Sequence, residues 1–302
     1  MIALALALWL APASAAPLPK PVAADSILVS TAWLSERMKR PGLVIFEVGD
    51  KSDYDAGHIP GAQFIGMRDI AAPRVEGGLA LELPETARLD SVLEARGISD
   101  DSYVVLYFGK DWVSPTTRVF LTLEYAGLRG RVSVLDGGLP AWRAENRPVT
   151  TEVPVTTRGN FTPRPRNDVI VDAAWVSQHL ADPSIAIIDA RDAGFYLDTL
   201  DNEMPRGGHI PGAHSLPFGT VVLEDNHVKS LDDLRTLFTA AGAATGDTVV
   251  SYCHIGQQGT LVFFAARLLG YNVRLYDGSF QDWSGRPDLP VEGARRAATH
   301  SH

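Results

Sequence analysis

Cysteine is almost absent from this chain of 302 residues, which contains one, Cys253. A single cysteine cannot form an internal disulfide, so the disulfide framework that stabilises many exported proteins is excluded. A buried cysteine can also act simply as a small apolar side chain. The residues around Cys253 in the sequence must therefore show whether its side chain serves core packing or catalysis.

An excess of positive charge is also absent. The formal net charge is −9, and acidic and basic residues are interspersed without a long basic run. Nucleic acids and anionic membrane surfaces bind concentrated positive patches, so the sequence predicts neither as a partner.

Apolar runs of about 18 residues, the length needed to cross a membrane, are missing as well. Residues 1–16, MIALALALWLAPASAA, are apolar and end in small residues, although no Lys or Arg precedes the apolar part. This pattern predicts a signal peptide cleaved near Ala13–Ala15, with a lipid-surface anchor or an unstructured tail as the alternative. We therefore expect a periplasmic or secreted protein. A lone thiol in an oxidising compartment calls for a chemical explanation.

The chain contains an internal repeat. The motif GHIPGA occurs at Gly57–Ala62 and again at Gly208–Ala213, each time between an apolar run with a nearby acid and a second β-branched run. An Asp-Gly pair followed by a tryptophan closes both copies. At about 100–200 residues per domain, the length fits two copies of one domain. We assign residues 24–146 to an inactive domain, 147–166 to a linker, 167–292 to a catalytic domain and 293–302 to a flexible tail.

Each copy alternates short β-branched runs with amphipathic stretches such as Thr86–Ala95 and Thr260–Leu269. That alternation predicts the α/β class, with a mainly parallel sheet flanked by helices in each domain. Ligands of such sheets bind beyond the carboxyl ends of the strands. We therefore expect the chemistry just after Tyr107 or Tyr252.

Features that occur in both copies are interpreted as parts of the scaffold, because only one copy carries a thiol. They are the turn histidines His58 and His209, the packing tryptophans Trp142 and Trp283, and the turn aspartates Asp136 and Asp277.

The copies differ directly after the second β-branched run. Cys253 follows Tyr252, whereas Phe108, which has no nucleophile, follows Tyr107. A free thiol with its pKa near 8.5 is mostly protonated at pH 7. A loop between a strand and a helix start turns backbone N–H groups inward and forms a cradle that stabilises a thiolate. We predict that Cys253 is a nucleophile.

The residues after Cys253 fit such a loop. Gly256 and Gly259 permit a tight curl, and Thr260 is expected to cap the following helix. For His254 two interpretations remain open: it adds a positive charge when protonated, or it is exposed to solvent.

These motifs resemble the rhodanese family of sulfurtransferases over nearly the whole mature chain. The resemblance implies tandem rhodanese-like domains and ping-pong chemistry. The Cys253 thiolate attacks the outer sulfur of thiosulfate, sulfite leaves, and the persulfide passes its sulfur to cyanide or a thiol. It implies no metal or organic cofactor. The implied partners are a small sulfur donor and a thiophilic acceptor, with a protein acceptor as a further option, and we expect a monomer.

The resemblance also implies which groups bind the transferred sulfur. They are the backbone N–H groups of His254, Ile255, Gly256, Gln257, Gln258, Gly259 and Thr260.

The loop matches neither the basic pattern of thiosulfate-specific members nor the small Gly/Ser pattern of mercaptopyruvate-specific ones. Arg191 matches an arginine that binds anionic donors, with an ion pair to Asp189 as the alternative interpretation, while Phe195 stands where a second arginine is usual. We favour thiosulfate or a related inorganic donor. Open alternatives are 3-mercaptopyruvate sulfurtransferase and a periplasmic sulfur carrier or redox protein without turnover.

Cysteine phosphatases of the same fold need an arginine six residues after the cysteine to bind phosphate, and that position here is Gly259. The phosphatase interpretation is therefore rejected. The inactive copy is expected to form one wall of the active-site cleft, with Trp33, Trp112 and Arg118 as contributors.

Overall fold

The structure, a computed structural model, describes residues 27–110, 112–201 and 203–293. The predicted signal peptide, residues 1–16, and residues 294–302 of the predicted tail lie outside the described residues.

The first half of the chain forms one five-stranded sheet with the order β1-β5-β4-β2-β3, in which all neighbouring strands are parallel. Its strands are β1 Leu28–Val29, β2 Leu43–Val48, β3 Gln63–Ile65, β4 Tyr103–Phe108 and β5 Val132–Leu135. Its α-helices are α1 Thr31–Arg37, α2 Lys51–Ala56, α3 Thr86–Ala95, α4 Ser114–Leu123 and α5 Gly138–Ala144, and a short π-helix, Glu124–Leu128, follows α4.

The second half repeats this arrangement in a parallel sheet with the order β6-β10-β9-β7-β8. Its strands are β6 Ile170–Val171, β7 Ile185–Asp189, β8 His214–Ser215, β9 Thr248–Tyr252 and β10 Asn272–Tyr276. Its helices are α6 Ala173–Gln178, α7 Ala193–Tyr196, α8 Leu231–Ala240, α9 Gly259–Leu268 and α10 Ser279–Gly285. None of the helices in the described ranges is long and apolar enough to cross a membrane.

The predicted α/β class with two parallel-sheet domains is confirmed. β4 and β9 lie in the middle of their sheets and are almost entirely buried, which explains the continuous apolar sequence of β4 and the Val249-Val250 pair of β9. The registers match as well: Glu47 pairs with Tyr107 in the first sheet, and Asp189 pairs with Tyr252 in the second.

The two GHIPGA turns are held by the same kinds of contact. The Nδ1 atoms of His58 and His209 lie 2.8 Å and 2.9 Å from the carbonyl oxygens of Tyr54 and Tyr196. Each histidine ring also stacks on the ring of that same tyrosine. Both imidazoles are buried in their own turns, which supports their interpretation as scaffold residues.

The repeated tryptophans are fully buried, as core packing requires. The indole N–H of Trp142 donates to the carbonyl oxygen of Pro148 at 2.8 Å, and that of Trp283 donates to Pro290 at 2.7 Å. Each tryptophan therefore holds the chain segment that leaves its own domain.

The segment 147–166 contains no helix, and its one strand-like pairing is the bridge between Thr150 and His58. Further along, its backbone is bound to the first domain. The N–H of Gly159 donates to the carbonyl oxygen of Glu94 at 2.8 Å, and that of Arg164 donates to Ala126 at 2.8 Å.

The domains pack against each other through α4 and α9. The hydroxyl groups of Thr117 and Thr260 lie 2.8 Å apart, and the rings of Phe120 and Phe264 meet edge to face at 4.9 Å. α4 follows β4, and its equivalent α9 follows β9. The carboxyl ends of these two strands are the places where chemistry is expected. The loop after β9 is therefore next to the domain boundary.

Candidate active site

Cys253 lies directly after β9, is fully buried and forms no disulfide. Its backbone is fixed by the start of α10. The N–H of Cys253 donates to Oγ of Ser279 at 3.2 Å, and its carbonyl oxygen accepts from the N–H of Phe280 at 2.9 Å. The side chain that carries the thiol is thus attached to a rigid part of the fold.

Four carbonyl groups of the loop after Cys253 accept hydrogen bonds from protein donors. The N–H of Gln281 donates to His254 at 2.9 Å, and Nη1 of Arg118 donates to Gly256 at 3.0 Å. Oγ1 of Thr260 donates to Gln257 at 2.6 Å, and the N–H of Leu261 donates to Gln258 at 3.0 Å. In a planar trans peptide the N–H points away from the C=O of the same unit. The N–H groups of the residues that follow these carbonyls therefore face away from those donors.

Those N–H groups are available to a ligand. Across residues 27–110, 112–201 and 203–293, no hydrogen bond is donated by the backbone N–H groups of residues 254–259. A run of backbone N–H groups at a helix start is an anion-binding arrangement. The loop can thus hold a negatively charged sulfur without any basic side chain.

The two loop glycines are needed for different reasons. Gly256 has φ +77°, in the left-handed region, and a Cβ there would lie 2.6 Å from the carbonyl oxygen of Asp277. Gly259 has an ordinary φ, but a Cβ there would lie 3.1 Å from the carbonyl carbon of Tyr252. Glycine is therefore required by backbone conformation at position 256 and favoured by the limited space at position 259.

The expectation that Thr260 caps α9 is wrong. The helix begins one residue earlier, at Gly259, and no side chain caps it at Gln258. Oγ1 of Thr260 instead donates back to Gln257 and contacts Thr117 of the first domain. A residue inside the first turn has its hydroxyl beside the preceding carbonyls, so the first N–H groups of α9 stay uncapped.

Neither interpretation of His254 holds in the structure. The ring is half-buried and meets Phe195 edge to face at 4.6 Å. Burial, followed by the positive charge of Arg191, lowers the pKa of His254 from 6.5 to about 4. The imidazole is therefore neutral at pH 7 and adds no positive charge next to Cys253.

Arg191 is fully buried beside the candidate site and forms a bidentate ion pair with Asp189, with contacts of 2.9 Å and 2.6 Å. Its Nη2 also donates to the carbonyl oxygen of Gly208 at 2.7 Å. Burial by itself acts against the charge, but the hydrogen bonds and charge of Asp189 outweigh it and raise the pKa of Arg191. Nη1 has no hydrogen-bond partner among the described residues. The pairing with Asp189 is thus present, and the NH2 group at Nη1 is left without a partner among the described residues.

Ser279 is a residue of this site that sequence reasoning missed. It has φ +52°, unusual for a residue with a side chain, and its equivalent Gly138 has φ +55°. A Cβ at Gly138 would lie 2.7 Å from the carbonyl oxygen and 2.8 Å from the ring of Phe108. Ser279 carries a side chain at the equivalent position beside Cys253, so the change from Gly-Gly to Gly-Ser in the repeat was the available signal.

The first domain does form a wall of the site, through residues other than the tryptophans. Nε2 of Gln257 donates to Oγ of Ser114 at 3.2 Å, and Arg118 reaches Gly256. Trp33 instead packs against Tyr103 within the first domain. No hydrogen bond or ring contact links the half-exposed Trp112 to the loop in the described part of the chain.

Asp136 and Asp277 lie in turns, as predicted, and both also bind the opposite domain. Oδ1 of Asp136 accepts from the N–H of Val228 at 2.9 Å. Oδ2 of Asp277 accepts from the N–H of Leu83 at 3.1 Å, and its Oδ1 is paired with Arg118. Sequence periodicity carries no information about contacts between domains.

Comparison with known proteins agrees with this geometry. A family model described as a rhodanese-like domain matches residues 30–145 and again residues 172–286. The chain is 35% identical over 285 residues to the sulfur carrier protein TtuD of Thermus thermophilus, covering 88% of this chain and 96% of that protein. It is 32% identical over 282 residues to a thiosulfate sulfurtransferase of Corynebacterium glutamicum, covering 88% and 90%. It is also 32% identical over 276 residues to a probable 3-mercaptopyruvate sulfurtransferase of Pseudomonas aeruginosa, covering 87% and 97%.

A solved structure gives the same fold. The 3-mercaptopyruvate sulfotransferase SseA of Escherichia coli superposes with a TM-score of 0.75 at 26% identity, covering 84% of this chain and 98% of that chain.

The low pKa of His254 predicts an acid-dependent loss of stability. Between pH 6.5 and about 4 the unfolded chain binds a proton at His254 that the folded chain does not, so stability falls as the pH falls through this window. Replacing the residue by glutamine, His254→Gln, should make the unfolding temperature less sensitive to pH there. Thermal unfolding of both proteins between pH 7 and 4 tests this. Parallel curves, or an NMR titration of His254 centred near 6.5, would contradict it.

Proposed function

Since this chain belongs to the rhodanese family and is a sulfurtransferase, we propose that it transfers a sulfane sulfur through a persulfide on Cys253. The donor is thiosulfate or a related inorganic compound, and the acceptor is cyanide or a thiol. The observation that carries this proposal is the position of Cys253, at the end of β9 and before six consecutive backbone N–H groups without an acceptor among the described residues.

The reaction needs no external oxidant. The thiolate sulfur of Cys253 attacks the outer sulfur of thiosulfate, and the sulfur–sulfur bond of the donor breaks. Sulfite leaves with the electron pair of that bond, and the enzyme keeps a persulfide anion. Cyanide then attacks the outer sulfur through its carbon, thiocyanate leaves, and the thiolate of Cys253 is regenerated.

The loop supplies electrostatic stabilisation to both anionic forms of the cysteine. Its N–H groups are held in place by the engaged carbonyl groups, so little reorganisation is needed when negative charge develops. The positive end of α9 acts in the same direction, because the helix starts at Gly259 without a side-chain cap.

Arg191 is our candidate for binding the sulfite part of the donor. Its left-over Nη1 and the cationic guanidinium support this role, although Asp189 neutralises much of the charge. With His254 neutral and Phe195 beside it, the second-domain side of the site offers one cation and an aromatic surface.

Substitution of the nucleophile tests the proposal. Cys253→Ser should lower thiocyanate formation from thiosulfate and cyanide by about 10⁴-fold or more, since a hydroxyl cannot form the persulfide. Mass spectrometry of the wild-type protein after thiosulfate should show one added sulfur on the peptide that contains Cys253. Activity that survives the substitution would refute the mechanism.

The same assay separates the remaining functions. Faster turnover with 3-mercaptopyruvate than with thiosulfate would identify the organic donor as preferred. A stoichiometric persulfide without turnover would favour the sulfur carrier, the function that the name of the Thermus relative states for that protein.

Replacing the donor-binding candidate should affect binding more than chemistry. Arg191→Lys keeps the charge but loses the planar fork, and the KM for thiosulfate should rise about tenfold with a smaller change in kcat. Arg206→Lys is the matched control, because the guanidinium of Arg206 binds four backbone carbonyl groups around α10. It should lower the unfolding temperature and leave KM unchanged. An unchanged KM in Arg191→Lys would reduce Arg191 to the partner of Asp189.

We also propose that residues 1–16 direct export and that the mature protein acts as a monomer. Expression of the full chain in a Gram-negative host should yield periplasmic protein that lacks these residues, and deletion of residues 1–16 should retain it in the cytoplasm. Cell fractionation, N-terminal sequencing and size-exclusion chromatography test both points. Full-length cytoplasmic protein would contradict export, and elution as a dimer would contradict the monomer.

A further inference from the structure

The loop after Cys253 depends on one side chain of the first domain, Arg118 of α4. This side chain is fully buried. Its Nη1 donates to the carbonyl oxygen of Gly256 at 3.0 Å and to Oδ1 of Asp277 at 2.5 Å, and its Nη2 donates to the carbonyl oxygen of Leu81. One guanidinium thereby joins the loop, the turn after β10 and a segment of the first domain.

The bond to Gly256 determines the direction of a neighbouring N–H. The carbonyl of Gly256 and the N–H of Gln257 belong to one planar peptide, so fixing the first fixes the second. Gly256 itself has φ +77° and no side chain that could hold the peptide. The guanidinium of Arg118 is the donor bound to this carbonyl.

The other engaged carbonyl groups of the loop are held from within the second domain. Their donors are the N–H groups of Phe280, Gln281 and Leu261 and the hydroxyl of Thr260. Among the described residues, the Gly256 peptide is thus the one peptide of the loop whose carbonyl is bound by the first domain.

Arg118 also supports the turn that holds the backbone of Cys253. The carboxylate of Asp277 is bound on one side by Arg118 and on the other by the N–H of Leu83. Two residues later, Oγ of Ser279 accepts the N–H of Cys253. The guanidinium of Arg118 therefore supports the site through two groups, the carbonyl of Gly256 and the carboxylate of Asp277.

The internal repeat has no arginine at the matching position of the second domain. Gly127 and Gly270 close the corresponding stretches after α4 and α9, and the residues nine positions before them are Arg118 and Leu261. Both side chains are buried. Burying a guanidinium is costly unless it is paired, and Arg118 pairs through Nη1 and Nη2 while its Nε has no partner among the described residues. A buried cation is thus found in the copy whose helix contacts the loop after Cys253, and its apolar counterpart lies in the other copy.

We propose that Arg118 is a positioning residue for the sulfur-transfer site. It orients the Gly256–Gln257 peptide and the Asp277 turn so that the loop N–H groups are preset for an anionic sulfur. The first domain, which has no nucleophile, thus takes part in the reaction through this side chain. The inference builds on the proposed role of Cys253, but its central readout, alkylation of the thiol, does not require sulfur transfer.

The test compares two Arg→Leu variants of the full chain. Arg118→Leu introduces the residue found at the symmetric position. Arg267→Leu is the matched control, because Arg267 forms the ion pair with Glu124 across the same interface, with Nη2 to Oε1 at 3.1 Å. Arg267 is the ninth residue of α9, about 12 Å along the helix from its start near the loop.

Three measurements are made on each variant: the pH profile of Cys253 alkylation by iodoacetamide, kcat and KM with thiosulfate and cyanide, and thermal unfolding. We expect Arg118→Leu to lower kcat about tenfold or more and to move the alkylation profile to higher pH. Arg267→Leu should lower the unfolding temperature without either change.

Equal alkylation profiles and equal kcat in the two variants would overturn the proposal and leave Arg118 a purely structural interface residue. If Arg118→Leu does not fold, Arg118→Lys replaces it: the ammonium keeps the charge but cannot span all three acceptors, so an intermediate shift is expected. An unshifted profile in Arg118→Lys would equally overturn it. If no variant or wild-type protein turns over thiosulfate but the alkylation shift is present, the proposed donor is wrong and the positioning role stands.

Discussion

A trans peptide cannot direct its C=O and its N–H to the same side, and the candidate site depends on this constraint. The carbonyl groups from Cys253 to Gln258 that are engaged by protein donors leave the N–H groups of the following residues facing the other way. An anion-binding loop therefore forms without a basic residue inside it. The side chains that matter most, those of Ser279, Thr260 and Arg118, bind backbone atoms of the loop.

The positive electrostatic potential of the site therefore comes mainly from its backbone N–H groups. His254 is neutral at pH 7, and the charge of Arg191 is largely balanced by Asp189. What remains is a set of N–H dipoles in fixed positions next to a buried thiol. Such a site stabilises a localised negative charge on sulfur, whichever donor supplies that sulfur.

Much of the fold could be predicted because the relevant forces are local and occur twice. The β-branched runs predicted β4 and β9, and Thr86–Ala95 is a helix over the same residues in the structure. The position of Cys253 after a central strand could be predicted from the strand alone. The role of Thr260 could not be predicted. A small shift in where the helix starts changes its hydroxyl from a helix cap to a donor to the carbonyl oxygen of Gln257.

Contacts between segments that lie far apart in the sequence are a second source of failure. Asp277 lies in a turn as predicted, but its ion pair with Arg118 was missed because Arg118 lies 159 positions away. The state of His254 depends on burial against Phe195, which no local pattern encodes. Ser279 could have been found from the repeat, since it is the one place in the Asp-Gly turn where the copies exchange glycine for a side chain.

The pairing of Phe108 with Gly138, and of Cys253 with Ser279, has a consequence for how such a duplicated protein changes over generations. A Cβ at position 138 would collide with the ring and with the carbonyl oxygen of Phe108, whereas Ser279 carries a side chain beside Cys253 in the same backbone region. The two positions of each pair are therefore coupled. In the first half, a serine at 138 could be accepted only after the phenylalanine at 108 had been replaced and the backbone had moved, so a second nucleophile cannot be gained there by one substitution with its supporting serine already present.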